Sequence, residues 1–221
     1  MSEWDRQIEC YWAQMEDRSQ GTDLPEEKRK ARLKKKKGNV PRFDLRQNLF
    51  RRSGRDLTEI DGIDGMTAMT ILSEVGWDMS KWKTENHFVS WLHLCPDNQI
   101  SGAKVIAKGR LPTNHRATLT LKMAANSLKA SNTYLGAQFR RLKTKLGAPV
   151  AIKAMAAKLA RLVYRMLRFG MEFVDHGAEF YEAQIHQLQV LRLQWQAAKL
   201  GFQLSEIPAS WRLGSFEFLR R

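Results

Sequence analysis

Carboxylates are missing from a long part of this chain. Between Ser101 and Arg168 the sequence contains fifteen Lys and Arg residues and no Asp or Glu. Cations that share a folded surface repel one another unless an anion neutralises them, and nucleic-acid phosphates do so with release of counterions. The sequence therefore predicts that this segment builds a nucleic-acid-binding surface.

Cysteines and long apolar runs are also scarce. The two cysteines, Cys10 and Cys95, lie far apart and have no CxxC partner, so the sequence predicts neither a disulfide framework nor a metal site. No run of eighteen apolar residues occurs, and the N-terminus lacks the basic and apolar regions of a signal peptide. We expect a cytoplasmic protein with no membrane partner.

The excess of positive charge is divided into two blocks. The first block is 25–55, with thirteen basic and three acidic side chains, and the second is the carboxylate-free segment that starts at Ser101. Between them, residues 56–100 form an acidic segment with two basic and eight acidic side chains. The first basic block includes the run Lys34, Lys35, Lys36 and Lys37. Two interpretations stay open for this arm, a solvated flexible linker and a tether that contacts nucleic-acid phosphates.

Helical periodicity dominates the apolar pattern and predicts a mainly α fold. We expect an amphipathic helix over 1–21, a basic linker or arm over 22–55 and a compact helical domain over 56–170. An amphipathic helix is expected over 171–201, and residues 202–221 give no clear signal.

The turn Ile60-Asp61-Gly62-Ile63-Asp64-Gly65 is similar to the helix-hairpin-helix motif. In that motif a Gly-hydrophobic-Gly turn brings backbone amides at a helix start close to a DNA phosphate. Asp64 stands where the second glycine is expected, and its carboxylate would repel phosphate. The sequence favours a structural helical corner over a phosphate site.

Three helices are predicted after residue 113. The first starts near Asn114 and presents Leu119, Met123 and Leu128; the second presents Leu135, Phe139, Leu142 and Leu146. The third runs toward Gly170 and places four cations on one face: Lys158, Arg161, Arg165 and Arg168. A solvated face usually intersperses carboxylates with its cations, so we predict that this one contacts phosphate.

Ser101 opens the carboxylate-free segment, in a turn with Gly102 that is followed by a short strand or hairpin at Val105-Ile106. A serine hydroxyl is a weak nucleophile unless its proton is removed or the charge on its target is stabilised. The nearby cations suit a pentacoordinate phosphate and are poor bases: Lys104, Lys108, Arg110 and Arg116. Spacing alone favours an ordinary Ser-Gly turn.

A family resemblance changes that interpretation. The strings that carry it are Leu57-Thr58-Glu59-Ile60-Asp61-Gly62-Ile63, Phe88-Val89-Ser90-Trp91-Leu92, Leu94-Cys95-Pro96-Asp97-Asn98-Gln99-Ile100-Ser101-Gly102 and Lys158-Leu159-Ala160-Arg161-Leu162-Val163-Tyr164. They resemble the C-terminal transposase domain of the IS one-ten family of insertion-sequence transposases. The resemblance implies that Ser101 is the nucleophile that forms a covalent link to a DNA phosphate.

The same resemblance implies several partners. Family members carry an N-terminal RuvC-like domain whose Asp-Glu-Asp-Asp set holds divalent metal, and they act as oligomers with a bridge RNA. In the family a coiled-coil segment joins that domain to the serine domain, and the resemblance implies that residues 1–21 are the end of this coiled-coil helix. We expect this chain to lack the RuvC-like domain and to be a truncated or split transposase, inactive alone. Mg²⁺ would then belong to the missing domain, with no cofactor in this chain. DNA as the partner implies association with the nucleoid.

Two functions from different classes follow. The leading hypothesis is the serine-bearing half of a transposase, which cleaves and rejoins DNA strands through a phosphoserine link. The alternative is a non-catalytic nucleic-acid-binding module or a decayed transposase remnant. A ribosome- or RNA-associated basic protein would fit the charge but would leave the Ser-Gly resemblance unexplained. A covalent adduct at Ser101 separates the first hypothesis from the others.

Overall fold

Eight α-helices and one β-hairpin make up the part of the chain that the computed structural model describes. The described residues are 3–19, 21–24, 41, 43–101, 104–109 and 115–205, with the backbone alone at 97–100 and 104–109. The predicted mainly α fold is confirmed. Among these residues no helix combines the length and the apolar character needed to span a membrane.

The helices are numbered here in chain order. They are α1 (Glu3–Ala13), α2 (Leu45–Ser53), α3 (Gly65–Val75), α4 (Glu85–Trp91), α5 (Arg116–Ser127), α6 (Tyr134–Leu146), α7 (Ala148–Phe169) and α8 (Gly177–Lys199). Strands β1 (Asp97–Ser101) and β2 (Lys104–Gly109) pair antiparallel between α4 and α5. Two 3₁₀ turns cover Leu57–Glu59 and Leu128–Ala130.

Helix α7 forms the centre of the core, where it contacts α4, α5 and α6. Small residues on its buried faces, such as Ala151, Ala156 and Ala160, let the neighbouring helices approach closely. Tyr164 is also buried on α7, and its hydroxyl donates a hydrogen bond to the carbonyl of Trp82 at 2.9 Å. This bond satisfies the polar end of the side chain within an apolar core.

The basic arm predicted over 22–55 is partly folded, which corrects that prediction. Helix α2 lies within it, and its first backbone amides are capped by Asp44, which accepts a hydrogen bond from the amide of Gln47. Leu45 and Leu49, four residues apart, are buried in the core. The Lys34–Lys37 run lies outside the described residues.

The first helix is shorter than predicted. It ends at Ala13 rather than near Gly21. Beyond it, the Asp17 carboxylate accepts hydrogen bonds from the backbone amide and the hydroxyl of Ser19, and the Arg18 amide donates to the carbonyl of Arg51 at 2.7 Å. Asp side chains that bond nearby backbone compete with helix formation in this way.

The turn that resembles a helix-hairpin-helix motif is a tightly packed corner. Gly62 has a φ of +85°, and a Cβ there would lie 2.8 Å from the carbonyl oxygen of Ala124 on α5. Asp64 caps α3 by accepting a hydrogen bond from the amide of Thr67 at 2.8 Å. The carboxylate therefore replaces the expected glycine because it completes the helix start.

The predicted apolar face of α5 is wrong for two of its three residues. Leu119 is 51% exposed and Met123 is 74% exposed, whereas Leu128 is buried. The buried face of α5 instead consists of Ala117, Thr118, Leu121, Ala124 and Ala125. Four of these five residues are alanine or threonine and only Leu121 is a large apolar residue, so the large apolar residues of α5 did not mark this face.

The chain divides into two compact units, Met1–Ala178 and Glu179–Arg221. In the second unit the described residues are most of α8 and the residues that follow it to 205. Within it the Lys199 ammonium lies 3.8 Å from the centre of the Trp195 ring, a cation–π contact.

A buried ion pair joins α2 to the start of the helical domain. Arg46 Nε donates to Asp56 Oδ2 at 2.9 Å, and the two side chains are 16% and 4% exposed. Thr58 donates to the other oxygen of Asp56 from its hydroxyl at 2.7 Å. Burial acts to raise the pKa of Asp56, but the hydrogen bonds from Arg46 and Thr58 outweigh it and hold that pKa below its ordinary value.

Replacement of Asp56 by Asn should lower the free energy of unfolding at pH 7 by about 3 kcal/mol, because Arg46 loses its buried partner. A carboxylate with a lowered folded pKa stabilises the fold above its unfolded pKa and loses that effect as the pH falls through the folded value. The deficit of Asp56→Asn against wild type should therefore be constant near neutral pH and shrink below about pH 4. Urea unfolding at several pH values measures it. An equal deficit at pH 7 and pH 2.5 would contradict the assignment.

Candidate functional site

Ser101 is exposed and is the last residue of β1, at the turn end of the hairpin. Its Cα partner across the ladder is Lys104. The register shifts between Gln99 and Ile100, which pair with Ala107 and Val105 and leave Ile106 as a bulge in β2. Bulges of this kind bend and twist a hairpin, and they often lie next to active sites.

The residues that flank the hairpin, 92–96 and His115, are called its root here. Three contacts hold this root against the helices. The Thr118 hydroxyl on α5 donates to the carbonyl of Leu92 at 2.8 Å. On α7, Lys153 Nζ donates to the carbonyl of Cys95 at 3.0 Å. The ring of His115, just before α5, packs against Trp91 with centroids 4.4 Å apart and the planes tilted by 38°. These contacts fix the chain just before β1, and His115, which lies six residues after the end of β2.

The hairpin projects Ser101 away from this root. Four residue steps separate Asp97 from Ser101, which corresponds to about 13 Å of extended strand. His93 and His115 lie at the root with ring centroids 5.5 Å apart. Ser101 is therefore presented outward, and neither imidazole of the root lies within hydrogen-bond reach along the strand.

The other residues predicted around Ser101 are only partly described. In the ladder Lys108 is the Cα partner of Asn98, as Lys104 is of Ser101. Arg116 is exposed at the first position of α5. Gly102 and Arg110 lie outside the described residues, as does the Lys34–Lys37 run.

Two of the four cations on the α7 face are paired, which corrects the expectation that no carboxylate reaches them. Arg165 forms a two-point contact with Glu85 at the start of α4, with Nε–Oε2 and Nη2–Oε1 distances of 2.5 and 2.8 Å. Arg161 Nε lies 3.9 Å from Glu85 Oε1, and its Nη2 is 3.4 Å from Asn86 Oδ1. The hydrogen bond from Arg165 lowers the pKa of Glu85.

The remaining two cations differ in their surroundings. Lys158 is half-buried, with Nζ 5.5 Å from the centre of the Tyr134 ring. Burial first, and then the charges of Arg165 and Arg161, lower the pKa of Lys158. Arg168 is exposed, and its charge contributes to a lowered pKa of Asp78, which is due mainly to hydrogen bonds from Ser80. Of the four cations, Arg168 is the most accessible to a phosphate group of a nucleic acid.

The paired arginines lie away from the hairpin root. Lys153 of α7 contacts the root, and Arg165 is twelve residues further along the same helix, which corresponds to about 18 Å. Glu85 begins α4, whereas the root follows the end of α4. The face around Arg161 and Arg165 and the Ser101 hairpin are therefore at opposite ends of α4.

The carboxylates of the acidic segment have structural partners. Asp61 Oδ2 accepts a hydrogen bond from the Thr133 hydroxyl at 2.6 Å, and Glu74 accepts one from the Arg116 amide at 2.8 Å. Within the part of the chain that the structure describes, no group of three His, Cys, Asp or Glu side chains converges to hold a metal ion. The described residues do not fit the divalent metal that the resemblance implies.

A cavity of ≈ 630 Å³ lies elsewhere in the first unit. It is bordered by the end of α2, the end of α7 and the segment around Arg18 and Thr22. Its lining mixes two guanidinium groups with three carboxylates: Arg18, Arg55, Asp56, Glu59 and Glu172. None of the residues predicted for the site borders this cavity.

Comparison with known families gives one match in this region. Residues 54–140 match the family described as Transposase IS116/IS110/IS902 family. The chain matches no curated protein. The matched residues run from the end of α2 to α6 and include the whole Ser101 hairpin, so this part of the chain is similar to the transposase domains of that family. The string Lys158–Tyr164 lies outside the match.

Replacement of Glu85 by Gln should strengthen binding of nucleic acid, because it releases Arg161 and Arg165 for phosphate contact. If both arginines then contact phosphates, the slope of log K against log salt should steepen by about one to two units. Glu182→Gln, on an exposed position of α8, makes the same change in net charge and is the control. Fluorescence anisotropy with a labelled duplex over a salt series measures both. Equal slopes for the two variants would show that the α7 face does not meet the nucleic acid.

Proposed function

From the match of residues 54–140 to this transposase family, we propose that this chain binds DNA and that Ser101 is the nucleophile of strand cleavage and rejoining. One observation carries the proposal most directly. Ser101 is exposed at the outer end of a hairpin whose root is held by α5 and α7. A serine with a purely structural role in a turn does not need to be exposed on an anchored hairpin, whereas a nucleophile must reach a phosphate on a bulky DNA duplex.

The proposed reaction is a transesterification. The Oγ atom of Ser101 forms a bond to phosphorus, and the bond from phosphorus to one sugar oxygen breaks. The serine hydroxyl loses its proton and the departing sugar oxygen gains one. Attack by the freed sugar hydroxyl of another strand reverses these changes and releases the serine. No oxidant or energy source is needed, because each step replaces one phosphoester bond with another.

Charge stabilisation and proton transfer have different sources in this proposal. Lys104 is the Cα partner of Ser101 in the ladder, so this proposal assigns charge stabilisation to the cations of the segment around Ser101. Cations stabilise the negative charge that develops on a pentacoordinate phosphate. They are poor bases at neutral pH, so the base and the metal ligands are assigned to a separate RuvC-like domain, and this chain alone is inactive.

The alternative is a nucleic-acid-binding module without chemistry. The pairing of Arg161 and Arg165 with Glu85 is compatible with this alternative, because the ion pair does not depend on a reaction at Ser101. Both functions use DNA as partner, and a bridge RNA and a homo-oligomer complete the proposal for an active transposase.

A covalent adduct tests the nucleophile. The chain is combined with a RuvC-like domain from a related transposase, Mg²⁺, bridge RNA and end-labelled DNA, and the products are run on a denaturing gel. A protein–DNA species should form with wild type and should be absent with Ser101→Ala. The affinity of the alanine variant for DNA at each salt concentration should stay within about twofold of the wild-type affinity, because one hydroxyl adds little to many phosphate contacts.

Ser80→Ala is the matched control, since Ser80 is an exposed serine of the same domain outside the hairpin. An adduct that persists in Ser101→Ala would remove Ser101 from the nucleophile role. An adduct formed by the chain alone would show that activation does not need the separate domain.

Salt dependence tests the nucleic-acid surface. If about six to ten phosphates are contacted, affinity should fall by roughly 10³ to 10⁵ between about 50 and 200 mM salt. Joint replacement of Lys158, Arg161, Arg165 and Arg168 by Gln should make the slope shallower, as should separate removal of the Lys34–Lys37 run. A slope that stays unchanged in either variant would exclude that group from the interface.

A further inference from the structure

Helix α5 presents one continuous exposed face that the proposed chemistry leaves unused. Arg116, Leu119, Met123 and Asn126 recur at spacings of three or four, so they lie on one side of the helix. All four are exposed, and Met123 is the most open of the large apolar residues on α5, at 74%. The face combines one guanidinium, one amide and two apolar side chains.

The rest of α5 holds this face in a fixed orientation. The opposite side of the helix packs into the core through Ala117, Leu121 and Ala125, which are almost fully buried. Thr118 ties α5 to the chain that enters the hairpin, through the carbonyl of Leu92. A helix held on one side over its whole length presents the other side as a rigid surface.

Charge limits the partners that this face can accept. The helix contains no carboxylate, and none occurs elsewhere between Ser101 and Arg168. The carboxylate of Glu74 contacts the start of α5, where it accepts hydrogen bonds from the amides of Arg116 and Ala117. The Glu74 carboxylate therefore already occupies the N-terminal end of α5. A polyanionic partner would contact the exposed side of the helix rather than this end.

The dimensions and side chains of the face fit one kind of nucleic acid. An α-helix with its side chains is about 10 to 12 Å wide, which matches the major groove of B-form DNA. The major groove of A-form RNA is too narrow to admit side chains. Arg and Asn are the side chains that pair with guanine and adenine edges in the major groove, and apolar side chains contact the thymine methyl.

We propose that the Arg116-Leu119-Met123-Asn126 face of α5 lies in the major groove of B-form duplex DNA. The proposal rests on the DNA-binding role proposed above and adds the element and the groove that make the contact. The helix starts at the root of the hairpin, so a duplex engaged by α5 passes close to the strand that carries Ser101.

A blocked major groove tests the proposal with the full chain. One 30-bp duplex of mixed sequence contains ordinary cytosine, and its twin contains glucosylated hydroxymethylcytosine, whose sugars fill the major groove. Wild type should bind the glucosylated duplex about tenfold more weakly, in line with the loss of one or two base contacts. Distamycin, which occupies the minor groove, should leave binding unchanged. Equal affinity for the two duplexes, or competition by distamycin, would overturn the proposal.

Met123→Glu places a carboxylate in the centre of the face. It should weaken binding of the ordinary duplex about tenfold and abolish the difference between the two duplexes, while affinity for single-stranded DNA and duplex RNA stays unchanged. Leu193→Glu, on an exposed position of α8, is the matched control and should bind like wild type. Circular dichroism verifies that both variants are folded. Equal weakening for RNA and DNA would contradict a groove-specific contact.

A photo-crosslinking residue in place of Met123 identifies the occupant directly. Crosslinks to duplex DNA support the proposal, and crosslinks to a second copy of the chain or to RNA alone overturn it. The Ser101 adduct is scored separately. If the adduct forms while glucosylation has no effect, the groove contact is wrong and the nucleophile assignment stands. If no adduct forms but glucosylation weakens binding, the nucleophile assignment is wrong and the groove contact stands.

Discussion

The burial of α7 is the constraint on which the rest of this structure depends. Its alanines allow α4, α5 and α6 to pack around one axis, and its Tyr164 and Lys153 bond to the carbonyls of Trp82 and Cys95 before and after α4. Because both bonds come from one rigid helix, the position of α4 and the start of the hairpin are set together. The close packing of the core thus determines where Ser101 lies.

Periodicity predicted the helices better than it predicted their faces. The long apolar repeats located α5, α6 and α7 within a few residues, because each buries one side in a common core. On α5 the buried side is made of alanines, which carry little hydrophobic signal, so Leu119 and Met123 were assigned to the wrong side. Helix α2 was missed because its Arg-rich composition concealed the pair Leu45 and Leu49.

The site shows a similar division. The exposed hairpin with Ser101 follows from local turn and strand signals. The pairing of Arg161 and Arg165 could not be found in the same way, because Glu85 lies more than seventy residues earlier in the chain. A count of charges within one segment does not include a carboxylate from another segment that the fold places next to it. The acidic segment therefore neutralises part of the basic one by packing against it.

The distance between the root of the hairpin and its tip has a mechanical consequence. A hairpin held at one end is a lever, and over a length of about 13 Å a rotation of about 5° at the root moves the tip by about 1 Å. A misplacement of that size is enough to slow a positioned reaction about a hundredfold. For the nucleophile role proposed for Ser101, the position of its hydroxyl would thus depend on Thr118, Lys153 and His115 at the root of the hairpin.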